Sequence, residues 1–211
     1  MAQLDEHRAF FAELITATVG VTAKDGATLI SAFRATPRER FVGPGPWNVF
    51  TPVGYIQTPS DDPAFLYQDI PIALSAAASI NNGQPTLHAL ALAALNVQPG
   101  ETVIHVGAGT GYYTAVLARL VASSGQVTAY ELHEQLASKA VANLAGFENT
   151  RVLQRSGAVG PLAECDVIYV NAGATDPMDV WLDALRLQAL PNTLSNPIAS
   201  PTCGRSPYTR C

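Results

Sequence analysis

Charge is scarce in this chain. Only 14% of its 211 residues are Asp, Glu, Lys or Arg, and twelve basic residues stand against seventeen acidic ones. A net charge of -5 without any basic run leaves no surface to neutralise many phosphates, so nucleic acid is not an expected partner. Cysteine is scarcer still. Cys165, Cys203 and Cys211 are too few and too irregularly spaced for a disulfide framework or a metal site, and they read as reduced thiols. No apolar run approaches the ~20 residues of a membrane span. The opening MAQLDEHRAFF carries acids where a secretory signal carries bases, so the expectation is a cytoplasmic protein without a membrane partner. Low charge here does not mean disorder, because 48% of the residues are hydrophobic and can supply a core.

What is present alternates between helical and strand patterns. Helix-like apolar spacing covers residues 5–18 and 25–35, and Pro37 disfavours helix at Thr36. Residues 43–63, GPGPWNVFTPVGYIQTPSDDP, read as a long loop of the kind that often serves as a lid. Beyond it the pattern predicts a helix over 86–95, a strand over 102–106, a helix over 112–121, a strand over 126–131 and a helix over 133–144. A short strand over 151–154, a strand over 167–171 and a helix over 177–190 follow. Strands separated by helices predict an α/β fold, a doubly wound and mostly parallel sheet that binds ligands at the carboxyl ends of its strands. One domain is expected over 1–190, with N-terminal helices and lid loop in 1–95 and a cofactor-binding core in 96–190. Residues 191–211 contain four prolines and no apolar periodicity, and read as an irregular tail.

The most informative stretch is VIHVGAGTGYYTAVLA, residues 103–118. A buried-strand pattern runs through Gly107, Gly109 and Gly111 into an amphipathic helix, so bare backbone can approach a nucleotide-like ligand closely. A dinucleotide fingerprint wants glycine at the sixth position, where this chain has Tyr112. The loop also lacks any lysine or arginine for phosphates. Glu131, ending the next strand, is placed to accept hydrogen bonds from both hydroxyls of a ribose. Glycines for close approach, an acid for a ribose and no phosphate partner together favour S-adenosylmethionine. Ala108, Leu132 and Asn171 fall beside these positions at the same strand ends.

These motifs, in this order, resemble the protein-L-isoaspartate (D-aspartate) O-methyltransferase family. The matching residues are Arg38-Glu39-Arg40-Phe41-Val42, Tyr67-Gln68-Asp69-Ile70-Pro71, Gln84-Pro85, the turn from Gly107 to Tyr112, and Gly125-Gln126-Val127 leading to Glu131. The resemblance runs from about residue 27 to about residue 190. It implies a Rossmann-like class I methyltransferase that uses S-adenosylmethionine to methylate an isoaspartyl carboxylate in damaged proteins, a repair reaction. A carboxylate is already ionised at neutral pH and needs no general base, so the lack of a convincing His-Asp or Cys-His pair is no objection.

Several positions depart from the family. Gly83 replaces a serine beside the transferred methyl, His105 replaces an acid on the first strand of the glycine motif, and Ser156, followed by Gly157, replaces the aspartate that receives the adenine amino group. Asn82 or Asn81 could offer an amide in place of the serine hydroxyl, and Asp69 could orient the acceptor. The resemblance thus implies Asn82, Gly83 and Asp69 on the catalytic side. On the cofactor side it implies Gly107, Ala108, Gly109, Gly111, Glu131, Leu132, Ser156, Gly157 and Asn171. His105 reads equally as a ligand group or as a core histidine. The antiparallel strand pair that closes the family's sheet has no counterpart in the tail, so either the tail or a second copy of the chain is expected to cover that edge. Two alternatives stay open: a methyltransferase with a different, small-molecule acceptor, and a degenerate, non-catalytic binding module of the same fold.

Overall fold

The computed structural model describes residues 2–21, 23–75 and 78–186. Helices α1 (Ala2–Thr18) and α2 (Ala23–Arg34) open the chain, followed by hairpin β1 (Asn48–Thr51)/β2 (Gly54–Gln57) and hairpin β3 (Ala73–Ser75)/β4 (Ile80–Asn81). Then come α3 (Pro85–Leu95), β5 (Thr102–Val106), α4 (Tyr112–Leu120), β6 (Gln126–Glu131), α5 (Glu134–Asn143), β7 (Thr150–Gln154), β8 (Val167–Val170) and α6 (Asp179–Ala184).

The main sheet has the order β7-β6-β5-β8 and is parallel throughout. Both faces are covered, as parallel sheets require. On one face Val103, Val127, Val167 and Tyr169 join a core that reaches Phe11 and Ile15 of α1, Phe33 of α2, Leu92 of α3 and Val116 of α4. On the other, Ile104, Val106, Tyr130 and Ile168 pack against Trp181 and Ala184 of α6. Chain order reverses between β5 and β8, which makes their carboxyl ends the expected ligand crevice.

Three expectations need correction. The supposed loop 43–63 contains the hairpin β1/β2, whose turn uses Gly54 at φ +115 and a hydrogen bond from Thr51 Oγ1 to the Gly54 carbonyl. Hairpin β3/β4 was not anticipated at all. The last helix is shorter than residues 177–190: Leu185 is already extended and bridges to Cys165, while residues 187–190 lie outside the described residues. The tail, Cys203, Cys211 and any closing strand pair after residue 186 also lie outside them.

Arg38 and Glu39 weld the N-terminal helices to the loop before β3. The Arg38 guanidinium is fully buried and donates to the carbonyls of Leu66, Gln68 and Ile70, with its carbon 5.0 Å from the Phe11 ring centroid. Glu39 accepts from the Tyr67 hydroxyl and from Arg8. The motif that resembled a family signature is thus structural glue.

Candidate active site

Two cavities meet over the carboxyl ends of the sheet. The first, about 430 Å³, is lined by Asn82 and Gly83 after β4, the turn Gly107–Thr110 after β5, Tyr112 and Tyr113 at the start of α4, Glu131 at the end of β6, and Asn171–Gly173 after β8. The second, about 250 Å³, shares Gly107, Glu131, Ala172 and Gly173 with it and continues over Leu132, Ser156, Gly157, Met178 and Trp181. Together they form one bent cleft. A larger open groove of about 910 Å³ lies between α2 and the loops before β6 and β7, and has neither the glycine turn nor a buried carboxylate.

The bend is built from backbone that tolerates no side chain. Gly107 has φ +81, and a Cβ there would come within 2.6 Å of the Asn171 carbonyl oxygen; Gly109 has φ +57, with Leu74 Cδ1 2.9 Å from such an atom. Glu131 is buried beside this turn. Its Oε2 accepts from the Gly109 amide at 2.7 Å and its Oε1 from the His133 amide at 2.8 Å. Each carboxylate oxygen can accept a second hydrogen bond, so the acid is held in place and still able to bind a diol. In the second cavity the Trp181 indole donates to the Gly157 carbonyl at 2.7 Å, and Ser156 Oγ accepts from the Ala158 amide at 3.1 Å. Leu132, 72% exposed, offers an apolar edge to the same cavity.

These features fit an adenosylated methionine: flat bare backbone, a fixed carboxylate that can accept from a diol, an apolar slot, and the N-terminal turn of α4, whose first amides have no partner within the helix. A family model described as Protein-L-isoaspartate(D-aspartate) O-methyltransferase (PCMT) matches residues 7–187. The chain belongs to that family. Similar to this family member is Protein-L-isoaspartate O-methyltransferase 1 of Archaeoglobus fulgidus, 30% identical over 187 residues, 87% of this chain and 76% of that protein. Protein-L-isoaspartate O-methyltransferase 1 of Rhodopseudomonas palustris is 35% identical over 149 residues, 69% of this chain and 52% of that protein. A solved protein-L-isoaspartate O-methyltransferase superposes with a TM-score of 0.67 at 25% identity over 84% of this chain and 52% of its own. One from Plasmodium falciparum, in complex with S-adenosyl-L-homocysteine, shares the fold at a TM-score of 0.65 and 20% identity, covering 85% of this chain and 79% of its own. This family member therefore spans between about half and four fifths of these matched proteins.

Of the residues singled out in the sequence, Asn82, Gly83, Gly107, Ala108, Gly109, Glu131 and Asn171 line the first cavity, and Leu132, Ser156 and Gly157 the second. Gly111 lines neither. A Cβ there would meet Leu144 Cδ1 at 2.9 Å, so this glycine lets α4 pack closely on α5. Asp69 lines neither cavity as well. Its Oδ1 accepts from the Thr86 amide at 2.7 Å and its Oδ2 from Gln84 Nε2 at 2.9 Å, which caps α3 where Gln84 itself does not. Asp69→Ala is expected to lower stability by about 1 kcal/mol, read from the urea midpoint.

His105 is a core residue. It is fully buried, its Nδ1 sits 2.8 Å from Thr114 Oγ1, and burial pushes its pKa down to about 3, so the imidazole is neutral. It cannot replace a carboxylate toward an ammonium group. Trp181, Met178, Leu74 and Ile80 were missed. Trp181 alone carried a signal: a large aromatic with an N–H to satisfy, shortly after the end of β8. Among the described residues no group of three or more His, Cys, Asp or Glu could hold a metal ion, and no helix is long and apolar enough to cross a membrane.

Proposed function

We propose that this chain uses S-adenosylmethionine to methylate the free carboxylate of an isoaspartyl residue in damaged proteins, in the cytoplasm. The observation that carries the reading is the meeting of the bare Gly107–Gly109 turn and the clamped Glu131 carboxylate in one cleft at the β5/β8 switch point. Glu131 would hold the ribose, the turn and the first amides of α4 the methionine portion, and Leu132, Ser156, Gly157 and Trp181 the base. When bound, the cofactor supplies an electrophilic methyl group on a sulfonium.

The chain's own contribution is positioning. Asn82 Oδ1 accepts from the Ile72 amide at 2.7 Å, which fixes the side chain and leaves its amide nitrogen to donate to an acceptor carboxylate at the Gly83 end of the cleft. Leu74 and Ile80, from β3 and β4, narrow that end against water. Alignment and water exclusion of this kind supply several kcal/mol of barrier reduction without a general base. The degenerate-module reading rests on Gly83, His105, Ser156 and the lack of a closing strand pair in the tail sequence; the cleft over Gly107 and the intact Glu131 favour transfer over it.

Transfer of a labelled methyl group to an isoaspartyl peptide, and none to its aspartyl twin, is the required result. Methylation of a small carboxylic acid in preference to the peptide would move the assignment to the other acceptor class. Glu131→Ala is expected to weaken S-adenosylhomocysteine binding by about 1–3 kcal/mol, roughly 5- to 150-fold, in a calorimetric titration. Unchanged affinity would remove Glu131 from the site.

A further inference from the structure

The space beside Gly83 is taken by a side chain five residues further along. Gly83 has φ +74, and a Cβ there would fall 2.1 Å from His88 Nε2 and 3.0 Å from its Cδ2. The imidazole of His88, on α3, stands where a side chain at 83 would have to go. That ring is buried and held on every side. It stacks on Tyr113 with centroids 3.5 Å apart and planes 11° apart, its Nδ1 meets the Tyr169 hydroxyl, and it has a backbone hydrogen bond to Asn82. Burial first, then His105 and Arg38, push its pKa down to about 3, so the ring is neutral. With Nδ1 taken as the acceptor for the tyrosine hydroxyl, Nε2 carries the hydrogen.

We infer that Gly83 and His88 are a matched pair, in which the imidazole fills the space of the absent side chain and fixes the Asn82–Gly83 turn that forms the acceptor end of the cleft. Asn82, Gly83 and Tyr113 line the first cavity, and His88 touches all three while lining neither cavity. His88 is therefore a positioning residue. Its contacts are with the Asn82–Gly83 turn and the Tyr113 ring and not with Glu131 or Gly107–Gly109, so it acts on use of the acceptor far more than on cofactor affinity. This rests on the proposed methyl transfer.

A double-mutant cycle tests it. In the otherwise unchanged protein, G83A is expected to lower kcat/KM for an isoaspartyl peptide about 10- to 100-fold; in the H88A background the same substitution costs less than about threefold. The cost of placing alanine at positive φ is common to both arms and cancels. S-adenosylhomocysteine affinity stays within about twofold throughout, and H88Q, whose amide nitrogen can reach the Nε2 position, recovers most of the H88A loss. An equal factor in both backgrounds overturns the pair. If G83A does not fold alone, folding of G83A/H88A upholds the pair and its failure to fold overturns it. Should the peptide prove not to be a substrate, nitrogen-15 NMR of the histidine rings decides independently. G83A must then shift the His88 resonances and disturb its single tautomer, and an unmoved ring refutes the inference whatever the acceptor.

Discussion

Acidification from pH 7 to pH 5 is expected to remove about 4 kcal/mol of folding stability through two histidines alone. Burial lowers the pKa of both His88 and His105 from 6.5 to about 3 in the folded protein. Below pH 6.5 the unfolded chain takes up a proton at each site and the folded chain does not. Stability is therefore unaffected by these groups above pH 6.5, and each further unit of acid costs about 1.4 kcal/mol per histidine until the folded pKa is reached. At pH 5 the cost is about 2 kcal/mol for each. Set against the 5–15 kcal/mol typical of a domain, this is a large fraction. The neighbours explain why neither ring can charge. His88 faces Tyr113, Tyr169, His105 and the buried Arg38, and His105 faces Thr114 and Tyr169, and among the described residues no carboxylate offsets the burial of either ring. Urea midpoints at pH 7 and pH 5 check this. His105→Asn should cut the difference by about half; a half-sized difference in the parent protein would mean that one ring is solvated, and an unchanged midpoint that both are.

Replacing Arg38 by methionine is expected to cost about 4 kcal/mol, on the order of 10 °C in melting temperature for a chain of this size. The guanidinium is fully buried and has no ion-pair partner among the described residues. It is neutralised in effect by three carbonyl dipoles, from Leu66, Gln68 and Ile70, and by the faces of Phe11 and Tyr112. Methionine fills much of the volume but strands those acceptors away from water. Arg38→Lys should fail nearly as badly, because one ammonium cannot span carbonyls that the planar fork reaches together. The damage would pass on, since the clamped loop carries Asp69, Asp69 caps α3, and α3 carries His88. A lysine variant as stable as the parent would show that charge, not the fork, holds the loop.

How much of this was legible beforehand varied by element. The parallel sheet, the glycine turn and Glu131 were readable because each is specified within a few residues: apolar runs mark buried strands, and glycine at positive φ marks the turn. The hairpins were not. Strands of two to four residues, with Pro52 and Gly54 at the first turn, carry too little alternation to stand out from a loop, and contacts such as Asn81 Nδ2 donating to the Tyr55 hydroxyl, which tie one hairpin to the other, arise only in the fold. Gly111 shows the limit from the other side. Its place in the motif suggested a cofactor role, yet what it meets is Leu144, thirty-three residues on.

By itself the order of residues determined where the ligand-binding end of the sheet would be and what kind of guest it suits, since strand, turn and terminal acid are local patterns. Only the tertiary structure decided the rest: that Asp69 is a cap, that His105 is a neutral core group, that Arg38 is a buried clamp, and that the His88 ring fills the space beside Gly83. The reason is distance along the chain. His88 and Tyr169 are 81 residues apart and Arg38 and Leu66 are 28 apart, so the burial and steric exclusion that assign these side chains their roles arise only once the packed core has brought them together.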